Sequence, residues 1–267
     1  MSALPKTTAI QLRREDWVLH LTFNRPERKN ALNADMVREV TEVMDAVQDD
    51  RSLRAIVLRG AGGNFSAGGD IKGFSQNQSA DEEDPVVASN RNYGRMLDRV
   101  NQVPQAVIAG IEGASLGGGM GFTCSSDVAI AVDGALFGLP EARLGLIASQ
   151  VLPLVVERIG LTKARMLAAT GARFQAAEAV ELGLVHYLVA DAGAMEVKIA
   201  EVLEQVRGCA AEGVAGNKYI MRLGLTQPRE DVIEAAARQF ANAMRTDAAK
   251  EGVDAFLNKR KPAWAVD

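Results

Sequence analysis

The chain has few of the residues that build disulfide or metal scaffolds. Its 267 residues include two cysteines, Cys124 and Cys209, and two histidines, His20 and His186. Two scattered thiols exclude a disulfide framework and lead us to expect a reduced, cytoplasmic setting. No Cys/His spacing fits zinc, so no metal site is expected. Both histidines fall within strand patterns, where a satisfied structural role is the default. Charge of one sign is also lacking. Thirty Lys and Arg against 34 Asp and Glu leave a net charge of −4, which argues against a nucleic-acid partner. With 48% hydrophobic residues, the composition is not that of a disordered chain. The most apolar stretch, residues 106–122, is glycine-rich and carries Glu112. It reads as strand, turn and helix, so no membrane span is expected. Residues 1–16 contain no apolar run, so no secretory signal is expected.

Nucleotide motifs are missing too. Residues 62–70, GGNFSAGGD, lack the Gly-Lys-Ser/Thr ending of a phosphate loop, and no G-x-G-x-x-G opens a helix after a strand. No G-x-S-x-G elbow or Ser/His/Asp set can be assembled. No resident cofactor is expected.

Glycine, in contrast, is plentiful, at 25 residues. Strand patterns over 7–13, 17–23, 54–58, 106–111 and 127–132 alternate with helical patterns over 35–47 and 86–100, and Gly117-Gly118-Gly119 opens another helix. Asn33 is placed to cap the helix over 35–47. Residues 76–84, QNQSADEED, read as a polar surface loop. From residue 152 the pattern is helical, over 152–159, 162–170, 176–182, 194–208, 212–223 and 230–257, with one strand over 184–189. These signals predict an α/β fold, with a core over 1–200 and a helical region over 201–267.

Two glycine-rich turns each follow a strand: Phe65-Ser66-Ala67-Gly68-Gly69-Asp70-Ile71 and Gly117-Gly118-Gly119-Met120-Gly121. Free backbone N–H groups at such turns bind negative charge, and two converging on one carbonyl oxygen form an oxyanion hole. Each turn also fits a plainer reading, in which it only tightens strand–helix packing. A third segment, Phe137-Gly138-Leu139-Pro140-Glu141-Ala142-Arg143-Leu144-Gly145, sets a carboxylate among apolar residues. That environment suits a proton-transfer group; the alternative is a solvated Glu141 paired with Arg143.

The order and spacing of these segments resemble the crotonase (enoyl-CoA hydratase/isomerase) superfamily. Residues 24–33, NRPERKNALN, resemble its N-terminal signature. Residues 65–72 resemble its first oxyanion turn, 113–119 its second and 137–145 its catalytic-glutamate segment. The resemblance runs from about residue 7 to Trp264. It implies a spiral of ββα units with a C-terminal helical trimerisation region, acyl-CoA thioester substrates, and a homotrimer or dimer of trimers. It implies Gly69 and Gly118 as oxyanion donors and Glu141 as the acid/base. Coenzyme A, entering as part of the substrate, would lie along Ala67, Gly69, Asp70, Ile71, Lys72 and Gly118. Arg28 and Lys29, with Lys259-Arg260-Lys261, are candidates for its phosphates; for the last three, a solvated basic tail is the alternative.

Two departures bear on the reaction. Hydratases of this superfamily resemble one another in carrying two glutamates, and the first falls here on Gly121. A single glutamate is compatible with hydration, isomerisation or thioester hydrolysis, and a non-catalytic CoA-binding homologue is the alternative outside enzymes. Residues 144–153, LGLIASQVLP, and Met120-Gly121-Phe122 resemble a subgroup that hydrates branched glutaconyl-CoA substrates in leucine or acyclic terpene breakdown. On that reading Gly121 leaves room for the substrate's own carboxylate. Ser149 and Gln150 are candidate contacts to it, unless they cap the following helix.

Overall fold

The computed structural model describes residues 4–70 and 84–265. Strands Ile10–Glu15 (β1) and Val18–Phe23 (β2) form an antiparallel hairpin. Its turn falls at Asp16, with a positive φ of 47°, so the first strand ends at Glu15, two residues later than the Arg14-Glu15-Asp16 turn expected after Arg13 would place it. Helix α1, Ala34–Val47, begins where expected: the Asn33 side chain accepts the Met36 N–H at 3.0 Å. Its apolar stripe, Met36, Val40, Val43, Met44 and Val47, is buried in the main core. Glu39 is buried on the same side. Its carboxylate accepts the N–H groups of Thr8, Ala9 and Ile10 and the Thr8 hydroxyl, which ties α1 to the start of β1.

Ala55–Gly60 (β3), Ala106–Ile111 (β4), Val128–Val132 (β6) and Tyr187–Val189 (β9) complete a six-stranded sheet in the order β1-β2-β3-β4-β6-β9, parallel beyond the hairpin. β4 is buried at all six positions, as a parallel strand covered on both faces must be. The main core, with Phe23, Phe65 and Phe122, covers one face. Helix α6, Ala192–Arg207, covers the other, with Met195, Ile199 and Val202 against Val57, Ile108 and Ile130.

A second sheet is made of three three-residue strands: Ala114–Leu116 (β5), Leu136–Gly138 (β7) and Arg173–Gln175 (β8), in the order β5-β7-β8. The sequence pattern predicted none of them, because three residues are too few to display a period of two. It also placed only one strand after residue 152, and β8 corrects that.

The remaining helices are α2 Pro85–Gln102, α3 Gly118–Ser125, α4 Leu152–Thr170, α5 Ala176–Leu182, α7 Ala211–Thr226, α8 Arg229–Met244 and α9 Asp247–Leu257. Gly160, at φ 78° and ψ 159°, breaks α4 between the two predicted helices. Gly183 stops α5 at φ 85°. The single helix expected over 230–257 is two, because Thr246 caps a new helix by accepting the Ala249 N–H. Most of the polar loop predicted over 76–84 lies outside the described residues. Among the described residues, no helix is long and apolar enough to cross a membrane.

Candidate functional site

The first glycine turn is held by the segment before α1. Asn30 is fully buried. Its side chain accepts the Arg25 N–H and donates to the carbonyls of Ala61 and Asn64, while its own carbonyl accepts the Ser66 hydroxyl. The Ala67 N–H donates to Lys29 O at 2.9 Å. Leu32 N–H donates to Gly68 O, and Asp70 N–H donates to Leu32 O. This short parallel bridge pairs Leu32 with Gly69 but uses the groups on either side of Gly69. The Gly69 N–H is therefore left outside the ladder. Gly68 has φ +93°, in the region that favours glycine.

The second turn is set by β5. Ser115 bridges Ser66, and Gly117 N–H donates to Gly138 O at 2.9 Å. Gly118 then opens α3, so its N–H has no intrahelical acceptor. The two turns touch: a Cβ built on Gly68 would stand 2.8 Å from Leu116 O and 3.4 Å from Gly118 N. The N–H groups of Gly69 and Gly118, which among the described residues meet no backbone acceptor, thus belong to turns in direct contact.

Glu141 reaches the same place through the second sheet. β7 pairs in parallel with β5, and the short 3₁₀ turn Pro140–Leu144 follows it. Gly117 has φ +49°, and a Cβ on it would overlap Glu141 Oε1. The carboxylate therefore rests on the bare Cα of the second turn. Its Oε2 is buried and, among the described residues, accepts no hydrogen bond. Burial pushes the Glu141 carboxyl above the usual carboxylate range, with the residue's own backbone N–H pulling partly back. The Glu141–Arg143 pair considered as an alternative does not form; Arg143 reaches Thr170 O.

Tyr93 of α2 completes the cluster, and sequence reasoning missed it. Its hydroxyl donates to Gly118 O at 2.8 Å. A Cβ on Gly121 would stand 2.6 Å from that hydroxyl oxygen and 2.7 Å from Leu97 Cδ1. The room expected beside Gly121 for a substrate carboxylate is therefore already filled by Tyr93 and Leu97. Burial first, and the Glu141 charge second, push the Tyr93 phenol well above its ordinary pKa. The available signal was the i, i+3, i+4, i+7 series Tyr93, Met96, Leu97 and Val100, which puts a polar-tipped ring on the inward face of α2.

Ser149 and Gln150 neither stand free nor cap a helix. The Ser149 hydroxyl and the Gln150 amide both donate to Asn90 Oδ1, at 3.1 and 2.7 Å, and α4 has no side-chain cap. Gln150 lies over Gly94, next to Tyr93 on α2. Arg28 and Lys29 are exposed beside the first turn. Asp70 is paired with Arg25 at 3.0 Å. Ile71 and Lys72 lie outside the described residues. Arg260 of the basic tail run is held by Glu251 and Asp254. His186 accepts the Ala129 N–H through Nδ1, and His20 lies 3.2 Å from Glu15. Among the described residues, no group of His, Cys, Asp and Glu is arranged to hold a metal ion.

The family model for enoyl-CoA hydratase/isomerase matches residues 13–266. A Bacillus subtilis protein described as a probable enoyl-CoA hydratase is 33% identical over 267 residues, covering 96% of this chain and 98% of its own. The structure of Pseudomonas aeruginosa AtuE superposes with a TM-score of 0.94 at 47% identity, covering 97% of this chain and all of its own. An enoyl-CoA hydratase/isomerase from Marinobacter aquaeolei gives 0.92 at 42% identity, covering 97% and 99%. With a match over nearly its whole length and the α/β crotonase fold of its structural neighbours, this chain belongs to the enoyl-CoA hydratase/isomerase family of enzymes.

Proposed function

We propose that this protein is a hydro-lyase that adds water across the α,β double bond of an enoyl-CoA thioester, with Glu141 as its single acid/base. One observation carries the reading: a half-buried glutamate, whose buried Oε2 has no partner among the described residues, lies against the turn that opens α3 with a helix-terminal N–H lacking an intrahelical acceptor. The N–H groups of Gly69 and Gly118 hold the thioester oxygen. Polarisation by these donors makes the β-carbon electrophilic. Glu141 takes a proton from water as the oxygen bonds to the β-carbon, and the π electrons move to the thioester oxygen as an enolate. Glu141 returns the proton to the α-carbon, and the thioester carbonyl reforms. Such donors act where charge develops, and each is worth about 3–4 kcal/mol of transition-state stabilisation.

In the same reading, coenzyme A enters with the substrate and lies along Ala67, Gly69, Asp70, Ile71, Lys72 and Gly118, with Arg28 and Lys29 near its phosphates. No resident cofactor is needed. The substrate class we put first is a branched glutaconyl-type thioester, whose distal carboxylate would meet Ser149, Gln150 and Asn90. The supporting features are the sequence of 144–153 and this polar trio beside Tyr93. The enzyme would work in the cytoplasm as a homotrimer or dimer of trimers.

The test is a panel of plain, branched and glutaconyl-type acyl-CoAs, with products followed by mass and by deuterium uptake from heavy water. Gain of one water is the expected outcome. Isotope exchange without gain of water would make the enzyme an isomerase, and free CoA a hydrolase. Glu141→Gln should lower kcat/KM by about 10²–10⁴-fold with CoA affinity retained; unchanged turnover would remove Glu141 as the acid/base, and a parent protein that binds CoA but turns over no thioester would be a non-catalytic CoA-binding protein. Equal kcat/KM for crotonyl- and glutaconyl-type thioesters would remove the substrate assignment alone.

A further inference from the structure

Three observations single out the Tyr93 hydroxyl. It stands over the bare Cα atoms of consecutive helical turns: 2.6 Å from a Cβ built on Gly121 and 3.2 Å from one built on Gly118. Glu141 Oε1 lies over the preceding residue, Gly117. The two polar groups thus reach the start of α3 from two different elements, α2 and the Pro140–Leu144 turn. The Tyr93 proton is committed to Gly118 O. A phenol oxygen that donates its one proton keeps lone pairs with which to accept. Over the adjoining residue, Gly117, the Glu141 carboxylate has an Oε2 with no partner among the described residues. Two acceptors without a donor between them fit a molecule with two O–H groups.

We propose that Tyr93 holds the attacking water: its oxygen accepts one O–H of the water, and Glu141 accepts the other. This assignment rests on the hydratase reading and adds a second catalytic residue to it. The water oxygen bonds to the β-carbon, the proton facing Glu141 moves to the carboxylate, and the proton facing Tyr93 stays on the new hydroxyl group. Tyr93 donates no proton to substrate. Its phenol, held far above the ordinary range, remains neutral throughout the working pH range. The hydrogen bond to Gly118 O also fixes Tyr93 on the same residue whose N–H meets the thioester, so water and carbonyl are registered to one helix end.

Tyr93→Phe keeps the ring against Leu97 and removes only the hydroxyl. Hydration kcat should fall about 10–100-fold with KM changed less than about twofold, since the lost contact orients a reactant and does not bind CoA. Exchange of the α-hydrogens of a saturated acyl-CoA in heavy water needs Glu141 and the oxyanion donors but no water attack, and should stay at the wild-type rate. Loss of both activities together would make Tyr93 a purely structural residue and overturn the proposal. Undiminished hydration would overturn it too, while leaving the hydratase reading intact. A wild-type enzyme that hydrates no member of the panel would sink both. Gly121→Ala provides a second route if Tyr93→Phe does not fold. Its methyl group displaces the hydroxyl, so hydration should fall while exchange persists, and the double variant should show no further loss. Full hydration by Gly121→Ala would count against the proposal.

Discussion

Glu141 shows how burial and chemistry act on one carboxyl. Its raised pKa means that the folded protein holds the proton more tightly than the unfolded chain does. Below the unfolded value of about 4.3 both states are protonated and the group has no effect on stability. As pH rises from there, the unfolded chain ionises first, so stability is lost until the folded pKa is passed. Glu141→Gln should therefore raise Tm at pH 7, and the gain should vanish near pH 4 in a series of thermal melts. In the proposed hydration, where the ionised Glu141 is the base, kcat/KM should rise with pH through a midpoint above the ordinary carboxylate range. A variant more stable and less active than the parent is the signature of a group retained for function at a cost to the fold. Glu141 stood out as a candidate from its apolar flanks and the Pro before it, but only the family resemblance assigned it the acid/base role. Its orphan oxygen and its neighbour Tyr93 were not legible, since both depend on which helix crosses the turn.

Elements deliver these residues through short, specific pairings. The segment 24–33 reads as a charged motif, and Arg28 and Lys29 are exposed, yet its most buried member is Asn30. Asn30 satisfies four backbone or side-chain groups and thereby links the loop before α1 to the first glycine turn. Asn30→Ala would leave the carbonyls of Ala61 and Asn64 and the Arg25 N–H without this partner, at a cost of about 2–3 kcal/mol. Chemical denaturation should show that loss, and kcat should fall with it because the Gly69 N–H is positioned by the same loop. Conversely, α1 was readable almost to the residue, because its apolar spacing and its Asn33 cap are local signals. The three-residue strands β5, β7 and β8 were not. They exist because distant segments pair, Ser115 with Phe137 and Phe137 with Phe174, and the Phe137 and Phe174 rings stack across that pairing. This second sheet is what carries Glu141 to Gly117.

At the scale of the molecule, the C-terminal helices are attached to the body but little buried by it. Lys218 of α7 bonds to Gln105 O and Asp127, and Arg54 bonds to the carbonyls of Val206, Arg207 and Trp264 while lying over the Trp17 ring. Yet α7 has no buried residue, α8 only Val232 and α9 only Ala255. Phe240 is 69% exposed and Phe256 82%. Large exposed apolar side chains grouped on adjacent helices are the mark of an association surface. Sedimentation should give a mass of three or six chains, and the pair Phe240→Asp and Phe256→Asp should shift it towards one while leaving the circular dichroism of the core unchanged.

The sequence alone determined the α/β class, the places of most of the long helices, the two glycine turns and the position of a glutamate among apolar residues, because periodicity, caps and turn chemistry are written in neighbouring residues. Only the tertiary structure decided that the two turns touch, that Glu141 rests on Gly117, and that the space beside Gly121 is occupied by Tyr93 and Leu97. Those facts arise from contacts between segments tens of residues apart, where packing of the whole chain, and not local preference, selects which side chain meets which backbone.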